Sequence, residues 1–200
     1  EIFQKRILIH LSSRWIDDKY SEEYFLELLK NINDHFGKIY LTTDDSSNTS
    51  FKKIYQFYKK YDDTNLYKLS KSNQSIIILD KLNFQNWREV IINSKLVLTY
   101  ECGCVHVASM SNVPLLVVYD YKNKPDMIYK EYAPLTNNYE KVIVTQKRIN
   151  QEIMRKLKKM EINEAEKTFS FSAPIISSTE AERLIENLQK FPIEECGTSR

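Results

Sequence analysis

The segment Ser94-Lys95-Leu96-Val97-Leu98-Thr99-Tyr100-Glu101-Cys102-Gly103-Cys104-Val105-His106-Val107-Ala108-Ser109-Met110-Ser111-Asn112-Val113-Pro114-Leu115-Leu116-Val117-Val118-Tyr119 places two apolar runs on either side of a helix-length stretch. A strand runs into an acid, then a Gly at a helix start, a His in its first turn, small residues and a second strand. Runs that are apolar at successive positions belong to strands buried on both faces, as in a parallel sheet. The helix between them is the crossover such a sheet requires.

The same alternation extends outward in both directions. Upstream, Ile76–Leu79 reads as a strand with Phe84–Ile92 as its helix, and Ile39–Thr42 as a strand before the polar loop Asp44–Ser50 and a helix through Tyr58. Arg6–His10 is the first buried strand. Ser21 is an N-cap for a helix with Glu22 and Glu23 in its positive first turn, and Phe25, Leu28, Leu29 and Ile32 repeat on one face up to a stop at Gly37. Downstream, Val142–Val144 is a further strand. The expected fold is α/β: a doubly wound, mostly parallel sheet of about six strands with C-terminal helices. The expected domain spans residues 1–150, with 151–200 as a helical extension packing on it. That extension reads as a basic amphipathic helix over Gln151–Met160, a polar linker over Glu161–Ser172 and a last helix over Ser178–Phe191.

Composition removes several function classes. The formal net charge is +2 with 28% charged residues, too balanced for a nucleic-acid partner or a polybasic membrane anchor. No apolar run reaches the roughly 20 residues of a membrane span. Three cysteines, Cys102, Cys104 and Cys196, make no disulfide framework, so the expected compartment is cytoplasmic. The sequence opens at Glu1 directly before a strand, which suggests that something was removed upstream.

In doubly wound sheets ligands bind beyond the carboxyl ends of the strands, which directs attention to Leu11–Lys19, Thr43–Ser47, Asp80–Asn83, Tyr100–His106 and Asp120–Lys124. The turn at Gly103 is a natural pyrophosphate seat: the first N–H groups of a helix are free and its dipole end is positive. Gly103 is also the only glycine between Gly37 and the C-terminal tail. His106 can donate to a phosphate or ribose oxygen, or simply bond to nearby backbone. Glu101 either caps the helix through its charge or joins a phosphate and ribose network. Cys102, Cys104 and His106 do not have a usual zinc spacing and lack a fourth ligand, so no metal is expected. Arg14 and Lys19 are loop cations available to phosphate. Asp44 and Asp45 follow the second strand, where a ribose contact competes with an ordinary turn role. Trp87 and Trp15 read as packing residues, with stacking on a base as the alternative for Trp15.

These blocks together resemble glycosyltransferase family 9, the lipopolysaccharide heptosyltransferases. The C-terminal halves of that family carry a strand, Asp-(Thr/Ser)-Gly-Pro-x-His, small residues, Gly-Val-Pro and a strand ending in Phe-Gly. Here those places read Glu101-Cys102-Gly103-Cys104-Val105-His106, Asn112-Val113-Pro114 and Tyr119-Asp120. Ile9-His10-Leu11-Ser12-Ser13 is similar to the family's first strand and its His-Pro-Gly-Ala-Ser loop. Tyr20 to Phe25 resembles Trp-Pro-x-x-x-Phe, with Lys19 near the place of a phosphate-binding Lys. The resemblance covers roughly residues 6 to 145 as ordered blocks.

The resemblance implies a Rossmann-like GT-B half that binds a nucleotide sugar such as ADP-heptose, with a lipopolysaccharide or other surface glycan as acceptor. The donor residues it implies are Gly103, His106, Glu101, Cys102, Cys104, Ser12, Ser13 and Lys19, with Asp44 on the ribose. It implies no cofactor and no metal. It also implies a separate N-terminal acceptor-binding domain that carries the catalytic base, and a cytoplasmic location with peripheral attachment at the inner membrane. Two other readings stay open: a degenerate, non-catalytic GT-B domain used for nucleotide sensing, folding or partner contact, and another GT-B relative such as a nucleotide-sugar epimerase.

Overall fold

The computed structural model describes residues 5–15, 21–43, 51–120, 132–144 and 148–170. Seven strands form one sheet: β1 (Ile7–Leu11), β2 (Ile39–Thr43), β3 (Lys60–Tyr61), β4 (Ile76–Leu79), β5 (Leu96–Tyr100), β6 (Leu115–Asp120) and β7 (Tyr139–Val144). Their spatial order is β3-β4-β2-β1-β5-β6-β7, and every pairing is parallel. The strand expected from Leu96 lies inside the sheet, between β1 and β6. The strand beyond the six expected is β3, the two-residue edge piece Lys60–Tyr61, too short to show a pattern in sequence.

Among the described residues there are five α-helices: α1 (Glu22–Phe36), α2 (Lys52–Phe57), α3 (Phe84–Ile92), α4 (Gly103–Met110) and α5 (Ile149–Ser170). The period-2 alternation of each strand divides the core in two. Ile7, Ile9, Leu41, Ile78, Leu98 and Val118 point to one face, where they meet Phe25 and Leu29 of α1, Ile54 of α2, and Ile153 and Leu157 of α5. Leu8, Tyr40, Ile77, Val97 and Val117 point to the other, against Val90 and Ile91 of α3 and Val105 and Ala108 of α4. Burying both sides of the strands is what makes their sequences continuously apolar.

Chain order reverses direction at β1. From β1 the chain moves to β2 and on to the β3 and β4 edge, then returns to place β5 on the opposite side of β1. The crevice beyond the carboxyl ends of β1 and β5 is therefore the topological switch point.

The chain divides into a compact unit, Glu1–Met160, and a second, Glu161–Arg200. In the first unit Ile149, Ile153, Leu157 and Met160 of α5 are buried in the core, so the compact unit extends past residue 150. The polar linker expected over Glu161–Ser172 is corrected: helix continues to Ser170. The Ala, Glu and Lys residues of that stretch favour helix without marking an apolar face, so periodicity did not reveal it. The expected helix Ser178–Phe191, and with it Cys196, lies outside the described residues.

Candidate functional site at the carboxyl ends of the strands

The first-turn N–H groups of a helix need partners from outside the helix. In α1 the Ser21 hydroxyl accepts from the Tyr24 N–H at 3.2 Å. In α3 the Asn83 side-chain oxygen accepts from the Asn86 N–H at 2.9 Å. In α2 a carboxylate from another helix serves: Glu22 Oε1 accepts from the N–H groups of Lys53 at 2.6 Å and Ile54 at 3.1 Å. α4 differs. Its N-cap is Cys102, whose side chain makes no capping hydrogen bond. The first intrahelical bond runs from the Val105 N–H to the Cys102 carbonyl at 3.0 Å.

The N–H groups of Gly103 and Cys104 precede that bond, and both residues line a cavity of about 340 Å³ at the switch point. Cys102 completes that wall. The strand ends contribute His10 of β1, Thr43 of β2 and Leu79 of β4, the β4–α3 connection contributes Leu82, and the start of α3 contributes Phe84 and Trp87. Gly103 has ample room: a Cβ built there would meet nothing within 4 Å. Its lack of a side chain therefore serves no internal packing need. It leaves the helix start open.

The apolar side of the cavity is built on a buried histidine. His10 is 3% exposed, and its Nδ1 lies 3.0 Å from Thr42 Oγ1. Burial lowers its pKa to about 4, which keeps the ring neutral at physiological pH. Trp87 lies against it at a ring-centroid distance of 5.5 Å and against Phe84 at 5.9 Å. The indole N–H of Trp87 is buried with no hydrogen-bond partner. The polar side belongs to the α4 start. Cys104 is buried there, and desolvation holds its thiol well above the ordinary cysteine range. Cys102 Sγ lies 3.4 Å from Thr99 Oγ1. Among the described residues, no group of three or more His, Cys, Asp or Glu is placed to hold a metal ion.

Of the residues singled out by sequence, the structure gathers Cys102, Gly103 and Cys104 at the cavity. Glu101 precedes them and pairs with the Arg14 guanidinium. His106 stands half-buried in the first turn of α4 and is not among the residues that line the cavity. Ser12 is buried and its hydroxyl has no partner. Ser13 opens a 3-10 turn, Ser13–Trp15, and its side chain is not described. Lys19, Asp44 and Asp45 lie outside the described residues. Trp15 is a packing residue, as expected, and its stacking alternative is corrected. It is 1% exposed, its N–H donates to the His10 carbonyl at 2.8 Å, and Phe25 and Tyr100 enclose it edge-on. Thr43 and Leu82 fall in loop segments that the sequence marks, and His10 in the block similar to the family's first strand, but neither they nor Phe84 carried a site role in sequence; Trp87, read there as packing, also lines the cavity.

The profile of glycosyltransferase family 9 (heptosyltransferase) matches residues 2–161. The chain belongs to this family. Its fold is that of a Rossmann-like GT-B half. Solved structures of similar fold include an E. coli heptosyltransferase, WaaC, with ADP, at 15% identity and a TM-score of 0.56, covering 78% of this chain and 44% of that one. E. coli ADP-heptose lps heptosyltransferase II aligns at 15% identity and a TM-score of 0.60, covering 81% and 48%. Methanocaldococcus jannaschii UDP-GlcNAc 2-epimerase, in complex with UDP-GlcNAc and UDP, aligns at 16% identity and a TM-score of 0.50, covering 94% and 46%. The chain thus spans less than half the length of each. No curated protein sequence matches it. Among the described residues no helix is long and apolar enough to cross a membrane.

One departure from the family 9 pattern has a local explanation. Asn112 stands where the family carries the glycine of Gly-Val-Pro, and its φ is +52°. That left-handed conformation closes α4, and Asn is among the few residues other than Gly that adopt it readily. Its side-chain oxygen also accepts from Thr136 Oγ1 at 2.7 Å, which ties the turn to the segment before β7.

Proposed function

We propose that this chain is the donor-binding domain of a glycosyltransferase, with the diphosphate of a nucleotide sugar seated on the N-terminus of α4. The observation that carries the reading is the difference in capping. Side chains satisfy first-turn N–H groups of α1, α2 and α3, whereas the α4 start is left to the cavity. Unpaired N–H donors at the positive end of a helix dipole favour an anion. Family 9 membership makes an activated sugar the apt ligand.

In this reading Gly103 admits the phosphates to the backbone, and His106 reaches a phosphate or ribose oxygen from the first turn. Ser12, Ser13 and Lys19 approach from the loop after β1, and Asp44 meets the ribose. The apolar wall of Trp87, Phe84 and Leu82 accommodates the rest of the nucleoside. Departure of the diphosphate needs no metal, because fixed N–H donors and cations stabilise the charge that develops on it. The sugar is a heptose or similar unit, and the acceptor a lipopolysaccharide or other surface glycan. The acceptor site and the base that activates its hydroxyl belong to a separate N-terminal domain, and the complete enzyme works at the cytoplasmic side of the inner membrane.

Tryptophan fluorescence tests the location. The chain has two tryptophans; Trp15 is buried in the core and Trp87 lines the cavity. Titration with ADP, UDP, GDP or CDP should change the emission of the wild type and leave Trp87→Phe unchanged. A signal that survives Trp87→Phe and disappears in Trp15→Phe contradicts this placement.

A further inference from the structure

We propose that Arg14 is a positioning residue that neutralises Glu101 and thereby keeps the α4 start receptive to an anion, an inference that rests on the diphosphate seat proposed above. Arg14 sits in the 3-10 turn after β1 and Glu101 in the turn after β5, so the pair joins the two loops that flank the switch point. A single nitrogen, Nη1, pairs with the Glu101 carboxylate and also donates to the Glu101 carbonyl oxygen at 2.9 Å. Both the charge and the backbone of Glu101 are held from one point. Glu101 directly precedes the N-cap, and its side chain is only 16% exposed, whereas that of Arg14 is 53% exposed.

An ion pair this open adds little to folding stability. Its position gives it another consequence. A carboxylate two residues before Gly103 opposes the field that α4 offers to a phosphate. A unit charge about 6 Å from an anion, at an effective dielectric of about 40, changes affinity roughly tenfold. Arg14 cancels that opposition and fixes the carbonyl from which the turn into α4 begins. The neutral pair lets an acidic residue occupy the mouth of an anion seat.

The test compares the wild type, Arg14→Ala, and Arg14→Ala combined with Glu101→Gln, by calorimetric titration with ADP, UDP, GDP and CDP and with their parent nucleosides. Arg14→Ala should weaken the diphosphate that binds about tenfold and its nucleoside less than about twofold. The double variant, with no carboxylate left to neutralise, should return diphosphate affinity to within about threefold of the wild type. Equal losses for diphosphate and nucleoside, or no recovery in the double variant, overturn the inference. If Gly103→Val abolishes binding and Arg14→Ala changes nothing, the seat stands and the Arg14 inference alone fails. If no diphosphate binds the wild type, both fail.

Discussion

His10 Nδ1 lies 3.0 Å from Thr42 Oγ1, which links the ends of two neighbouring parallel strands beside the cavity. The ring is buried, and its pKa is lowered from 6.5 to about 4 by desolvation. In the unfolded chain the same histidine takes up its proton near pH 6.5. The unfolded state therefore binds more protons between those values, and stability falls as the pH drops from 6.5 through about 4. The full loss is on the order of 3 kcal/mol. Denaturant melts at intervals across this range should show that decline in the wild type and a flatter profile in His10→Gln. An equal decline in both assigns the acid sensitivity to other groups.

Glu22 acts on a helix other than its own. Its Oε1 accepts from the N–H groups of Lys53 and Ile54 at the start of α2, whose own N-cap, Phe51, has no side-chain acceptor. Glu22→Ala should destabilise the chain by about 1–2 kcal/mol, and Glu22→Gln by less, because an amide oxygen keeps an acceptor without the charge. Urea titrations of the three proteins check the order. If Glu22→Ala melts like the wild type, this long-range cap contributes nothing.

Much of the fold was legible because physics wrote it in long, simple patterns. β1, β2, β4, β5 and β6 are buried on both faces and read as predominantly apolar runs. α1 carried a cap, an apolar face and a glycine stop in sequence. The edge strand Lys60–Tyr61 and the 3-10 turn Leu66–Lys71 were not legible, being too short for either period. The candidate site was half legible. Cys102, Gly103 and Cys104 are contiguous, so a local motif marks them. The opposite wall is assembled from three strand ends and the start of α3, and only the sheet order brings His10 to Trp87. Trp15 shows the converse: an aromatic residue in a loop of interest that packing claims entirely.

The left-handed turn that ends α4 sets an order among substitutions. Asn112→Gly should remain close to the wild type, since Gly adopts a positive φ freely while the Thr136 bond is lost. Asn112→Ala loses the bond and meets backbone strain, for a destabilisation of about 1–2 kcal/mol. Thermal melts of both variants decide. Equal melting temperatures for Asn112→Gly and Asn112→Ala contradict the conformational account.

The most direct test of the donor-seat account is calorimetric titration of ADP, UDP, GDP and CDP into the wild type, Gly103→Val and His106→Ala, with a thermal melt of each protein as the folding control. Because a Cβ at Gly103 meets nothing within 4 Å, Gly103→Val should melt close to the wild type. It should nevertheless lose binding altogether, since the added side chain bars the phosphates from the backbone. His106→Ala should weaken binding by about 1–2 kcal/mol, the scale of a hydrogen bond to a charged group. A wild type that binds one of these nucleotides with an affinity that neither substitution changes contradicts the seat at α4. A wild type that binds none of them at millimolar concentration contradicts donor binding itself.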